Sequence, residues 1–260
     1  MKKIAVCGKG GVGKSFITYA LSKVLAKKGY SVIVIDTDES NQSLYRLFGY
    51  DEPPQAFMDF LGGKKMVQQS IIKRFQSGNK ESKMSVIEKE TFQLHDIPPE
   101  FLKVNGSISL INIGKIKEPL EGCACPMGII SREFLEKIQL KENEIIIVDT
   151  EAGIEHFGRG VEKGIDTIVV VAEPYLDSIE VAQKIVSLAD QMDKRVYFLV
   201  NKVFPENEEA VKDVINRKAL PLSGMIYFSP LVYRASIEGK VIDSDEIFTS
   251  IEKFVEKMNG

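Results

Sequence analysis

Gly8-Lys9-Gly10-Gly11-Val12-Gly13-Lys14-Ser15 lies between a short apolar run at residues 3–6 and a stretch, 14–28, whose apolar residues recur at three-to-four spacing. A G-x-x-x-x-G-K-S pattern at a strand-to-helix junction is a phosphate-binding loop in its proper context. Its glycines let successive backbone N–H groups turn toward phosphate oxygens, and the following helix adds its positive N-terminal end. Lys14 is expected at the β- and γ-phosphates of a nucleotide and Ser15 on Mg²⁺. Gly8, Lys9, Gly10, Gly11, Val12, Gly13 and Phe16 complete the expected cradle.

Working outward, further apolar runs at 32–35, 108–113, 145–148, 168–172, 196–200 and 225–228 read as strands. Most are rich in Val and Ile without alternation, as in a parallel sheet covered by helices on both faces. Helices are expected at 14–28, 131–138, 178–192, 208–217 and 245–258. The fold class is therefore α/β, a doubly wound, mostly parallel sheet with helices on both faces, the P-loop NTPase arrangement. All of 1–260 is expected to form one domain. Residues 62–105, rich in Lys, Glu, Gln and Ser and carrying Pro98-Pro99, exceed a normal connection and suggest a helical insertion.

Composition narrows the partners. A net charge of -3 over 260 residues supplies no basic field, so nucleic acid is not an expected partner. No run approaches the roughly 18 apolar residues of a membrane span. The apolar run after Met1 is too short for a signal-peptide core. Three cysteines make a poor disulfide framework, which suits a cytoplasmic chain with reduced thiols.

Ile145-Ile146-Ile147-Val148-Asp149-Thr150-Glu151-Ala152-Gly153 delivers an acid to the end of a strand. Asp149 is the expected Walker B carboxylate, holding Mg²⁺ through water, and Gly153 lets the segment move when the γ-phosphate leaves. Asp36-Thr37-Asp38-Glu39-Ser40-Asn41 brings further carboxylates to a strand end, where doubly wound sheets bind ligands. Asp36 would support Mg²⁺ or loop geometry; Asp38 or Ser40 could instead cap a helix.

Lys9 is surplus to an ordinary phosphate loop, and Lys-Gly-Gly-x-Gly-Lys-Ser resembles the deviant loop of the MinD, ParA and nitrogenase iron protein superfamily. The resemblance implies an ATPase in which Lys9 reaches the partner subunit's nucleotide across an ATP-dependent homodimer. Lys9, Lys14 and Asp38 become the implied catalytic set, Asp38 aligning with the superfamily's water-activating aspartate. Glu39 stands where many relatives have proline. Val200-Asn201-Lys202 resembles the pair that recognises adenine, with Pro230 and its neighbours as a second contact; Asn201 could equally form a turn.

Gly122-Cys123-Ala124-Cys125-Pro126 places two thiols at i and i+2. Four thiolates are usual for structural zinc, and two-fold symmetry would close such a site with a second pair. Soft ligands admit Ni, Zn, Cu(I) or an iron–sulfur cluster. Cys7, inside the first strand, reads as core, and His95 as incidental. His156 could couple the sites, bind metal or pack.

Together with Glu151-Ala152-Gly153-Ile154-Glu155-His156-Phe157-Gly158-Arg159-Gly160, the cysteine motif looks like that of the CooC-type accessory ATPases. That resemblance implies ATP-dependent assembly of a nickel centre, with carbon monoxide dehydrogenase or acetyl-CoA synthase as client. Cys123 and Cys125 would hold Ni²⁺ or Zn²⁺ between subunits. One rival is an ATP-dependent reductase with an intersubunit [4Fe–4S] cluster, like nitrogenase iron protein. Another is a MinD/ParA-like positioning ATPase, which the mixed charge of residues 243–260 does not favour.

Overall fold

The computed structural model describes residues 2–38, 43–76, 85–114, 125–153, 160–241 and 245–259. Eight strands form one sheet in the order β3-β4-β2-β5-β1-β6-β7-β8. They are β1 (Lys3–Gly8), β2 (Ser31–Asp36), β3 (Lys103–Asn105), β4 (Ile108–Asn112), β5 (Glu144–Asp149), β6 (Thr167–Ala172), β7 (Arg195–Val203) and β8 (Leu222–Tyr227). Every neighbouring pair is parallel except β3 and β4.

Side chains alternate across the sheet, so each central strand feeds two cores. Ile4 and Val6 pack with Tyr19, Leu21 and Phe254 on one face. Ala5 and Cys7 pack with Phe134, Ile185 and Phe198 on the other. The first core is covered by helices Lys14–Lys27 and Asp245–Asn259, the second by Cys125–Lys137, Leu176–Gln191 and Glu208–Arg217. Because both faces are buried, the strands need no polar alternation, which is why they read as continuous Val/Ile runs.

β1 lies between β5 and β6. From β1 the chain runs outward to β2, while β6, β7 and β8 build the opposite half. This reversal opens a crevice at the C-terminal ends of the strands, where such sheets take their ligands.

The sheet has an edge strand, β3, that the sequence pattern places inside the insertion. It is three residues long with Val104 exposed, so it carries no buried run to betray it. The helix expected at 131–138 begins six residues earlier, at Cys125, since Pro126 is well suited to a first helical turn. In the inserted stretch the helix Gly63–Gln76 is followed, beyond residues 77–84, by two short 3-10 turns, Leu94–Asp96 and Pro99–Phe101. Phe92 and Phe57 sit edge-on to Phe134 at 5.0 Å each. The buried Glu133 carboxylate accepts the N–H groups of Val86 and Ile87 at 2.9 and 3.1 Å. These contacts hold the insertion on the helix that starts at Cys125. Among the described residues no helix is long and apolar enough to cross a membrane.

Candidate nucleotide-binding site

The loop joining β1 to the helix Lys14–Lys27 needs glycine for steric reasons that the structure makes specific. A Cβ on Gly8 would lie 2.2 Å from the Val171 carbonyl oxygen of neighbouring β6. At Gly13, φ is +95° and a Cβ would meet the Asn201 amide nitrogen at 2.5 Å. The loop is thus wedged between the ends of β6 and β7. Lys14 is buried, and its ammonium curls back to donate to the Lys9 carbonyl at 3.4 Å. Lys9, in contrast, is half exposed and reaches Asp177 at 3.9 Å, a surface pair of small energetic weight.

Opposite the loop stand three carboxylates. Backbone and hydroxyl of Thr37 both donate to the Asp149 carbonyl, at 3.0 and 2.8 Å, tying the end of β2 to the end of β5. The tie brings Asp36 and Asp38, each 6% exposed, beside the fully buried Asp149. The Asp38 N–H donates to Asp36 Oδ1 at 3.2 Å. Ser15 Oγ donates to Asp149 Oδ2 at 2.6 Å. Burial, with the Asp36 charge adding to it, pushes the Asp149 carboxyl up to about 7, against the Ser15 hydrogen bond that lowers it. A buried acid so penalised calls for a cation. The Ser15 hydroxyl with Asp149 and Asp36 is an oxygen-only donor set that fits Mg²⁺.

The segment leaving Asp149 touches the loop again. The Gly153 N–H donates to the Gly8 carbonyl at 3.0 Å, and Gly153 has φ +85°. A cleft of roughly 570 Å³ opens beside these groups, lined by Lys14, Ser15, Phe16 and Asp38 at one end. Its far wall is β8 and the helix Pro230–Glu238, with Phe228, Val232 and Tyr233. That helix is absent from the expected elements. Its signal was Ser229-Pro230, an N-cap serine followed by proline at the first helical position; the Ser229 hydroxyl accepts from the Val232 N–H at 3.5 Å.

Asn201 also lines the cleft, but its amide nitrogen donates to the Val12 carbonyl at 2.9 Å. It therefore supports the loop directly, whatever it gives to a base. Cys123, Ser40 and His156 lie outside the described residues, and of Cys125 only the helical backbone position is described. Among the described residues no three His, Cys, Asp or Glu side chains converge as a metal site. His95 lies in the turn Leu94–Asp96, on the insertion.

A phosphate loop closing β1 of a doubly wound sheet, with a lysine and Walker-type acids around it, defines a P-loop ATPase. The CobQ/CobB/MinD/ParA nucleotide-binding domain model matches residues 3–242, and the chain belongs to that family. An uncharacterized ATP-binding protein of Methanocaldococcus jannaschii is 46% identical, over 83% of this chain and 84% of its own. The carbon monoxide dehydrogenase accessory protein CooC of Rhodospirillum rubrum is 34% identical, over 77% of this chain and 74% of its own. In fold, the chain is similar to the MinD cell division protein of Aquifex aeolicus, with a TM-score of 0.69 at 22% identity, covering 100% of this chain and 97% of that one.

Proposed function

We propose that this ATPase is a nucleotide-switched metallochaperone that works as a homodimer. It would help assemble the nickel centre of a client such as carbon monoxide dehydrogenase or acetyl-CoA synthase. The likeness to CooC supports the class of client. The observation that carries the reading is a contact: the helix headed by Cys125 packs against the turn Val161–Gly164, with Gly164 so close that a Cβ there would lie 2.7 Å from Leu135 Cβ. That turn follows in sequence the segment that leaves Asp149 and Gly153, which supports a coupling between nucleotide state and the cysteine motif.

In this reading Lys14 and the loop N–H groups bind the triphosphate. Ser15, with Asp149 and Asp36, holds Mg²⁺, which neutralises charge on the phosphates when bound. Asp38 orients the attacking water, since phosphoryl transfer depends mostly on positioning and electrostatics. Lys9 of each subunit leaves Asp177 and reaches the partner's nucleotide. Loss of the γ-phosphate releases the Gly153 segment, which shifts the turn Val161–Gly164 and with it the helix carrying Cys125. Cys123 and Cys125 from two subunits hold the cargo metal in one state and release it in the other.

Metal analysis after anaerobic loading with Ni²⁺ or Zn²⁺ tests this. The wild type is expected to retain about one ion per dimer, and Cys123→Ala with Cys125→Ala to retain none. Equal stoichiometry in both refutes the shared site, and a brown, redox-active dimer assigns the cysteines to an iron–sulfur reductase instead.

A further inference from the structure

β7 ends differently from its neighbours. Its pairing with β8 shifts register between Val200 and Val203, and the two residues inside the shift are Asn201 and Lys202. Lys202 has φ +60°, a left-handed conformation that a residue with a side chain adopts at a cost. Irregularities of this kind re-aim side chains beside active sites.

Here the re-aimed side chains meet the phosphate loop. Lys202 Nζ donates to the Gly11 carbonyl at 2.7 Å, next to the Asn201 bond to the Val12 carbonyl. The same ammonium donates to Glu173 Oε1 at 2.5 Å. Glu173 follows β6 and is itself fixed, its backbone N–H donating to Ser178 Oγ at 3.0 Å. Within a planar trans peptide, C=O and N–H point in opposite directions. Two adjacent carbonyls held toward β7 therefore turn the Val12 and Gly13 N–H groups the other way, away from β7. Parallel N–H dipoles repel one another when no anion is present, and a cation on the carbonyl side offsets that repulsion.

We propose that Lys202, with Glu173 as its counter-charge, is a positioning residue that holds the loop in its phosphate-accepting form and does not read the base. The inference needs only the ATPase assignment and stands apart from the metallochaperone reading.

The test compares wild type with Lys202→Met, Lys202→Arg and Glu173→Gln. Affinity is measured for ATP, GTP and pyrophosphate in the presence of Mg²⁺, alongside steady-state ATP hydrolysis. Lys202→Met is expected to weaken all three ligands roughly tenfold, with the ATP-to-GTP preference unchanged and the loss falling on KM more than on kcat. Lys202→Arg should recover most of the affinity, because it keeps both the charge and the donor. Glu173→Gln should weaken pyrophosphate by a smaller factor, and it reads the same contact from the acidic side if Lys202→Met fails to fold. Pyrophosphate affinity at the wild-type level in both Lys202→Met and Glu173→Gln overturns the proposal. So does a collapse of the ATP-to-GTP preference with pyrophosphate binding intact, which would make Lys202 a base contact.

Discussion

Asp149 has no exposed surface, yet its carboxylate faces the Ser15 hydroxyl and lies near Asp36. Its carboxyl, ordinarily near 3.8, is raised to about 7 in the folded chain. The fold therefore favours the protonated form, and metal-free stability falls as pH rises from about 4 through about 7, by on the order of a few kcal/mol. Urea titrations without Mg²⁺ should show this slope, and Asp149→Asn should flatten it; an equal slope in both assigns it to other groups. Asp38 carries a second expectation. Asp38→Asn should lower kcat by about 10²-fold or more while ATP binding persists, measured by single-turnover hydrolysis and equilibrium binding. At this scale the sequence was informative where chemistry demands a residue type at a fixed spacing, as in the loop at 8–15. It marked Lys202 only as part of a pair resembling one that recognises adenine, because the register shift and the backbone angle that turn this residue toward the loop are not encoded by one letter.

The helix Cys125–Lys137 is where elements exchange force. The Lys3 ammonium donates to the Leu135 carbonyl at its far end, Glu133 and Phe134 grip the insertion, and Gly164 presses on Leu135. Phe134→Ala should cost about 3–5 kcal/mol, since it empties the centre of the Phe57–Phe92 contact. Gly164→Ala should cost about 1–3 kcal/mol by overpacking and, under the proposed coupling of this turn to Gly153, should also change the ATPase rate. Denaturant midpoints together with steady-state hydrolysis check both. A Gly164→Ala protein with native stability and rate removes the turn from the mechanism. The buried strands were legible because their runs face two cores. The start of this helix was not, because Cys-Ala-Cys-Pro lacks the apolar spacing that marks its later turns. β3 and the helix Pro230–Glu238 escaped for a different reason: each is exposed along much of its length.

At the scale of the whole molecule, the class follows from the sheet order, the loop and the family match; of these, the mostly parallel sheet and the loop were readable from Val/Ile runs and one motif, and the strand order was not. In the proposed function, what the chain does with ATP depends on a second copy, and a single sequence carries only half of that arrangement. Lys9 points out of its own site toward solvent and a weak partner, Asp177, and in the proposed dimer the cysteine motif would supply two of four ligands. The most direct measurement is native mass with metal content of anaerobically purified protein, taken without nucleotide, with ADP and with ATP. Lys9→Ala and the double cysteine variant serve as comparisons. ATP is expected to drive a dimer carrying about one metal ion that needs Cys123 and Cys125, and Lys9→Ala is expected to lose the ATP-driven association. A monomer in every nucleotide state, or metal content independent of both nucleotide and cysteines, would contradict the proposed function.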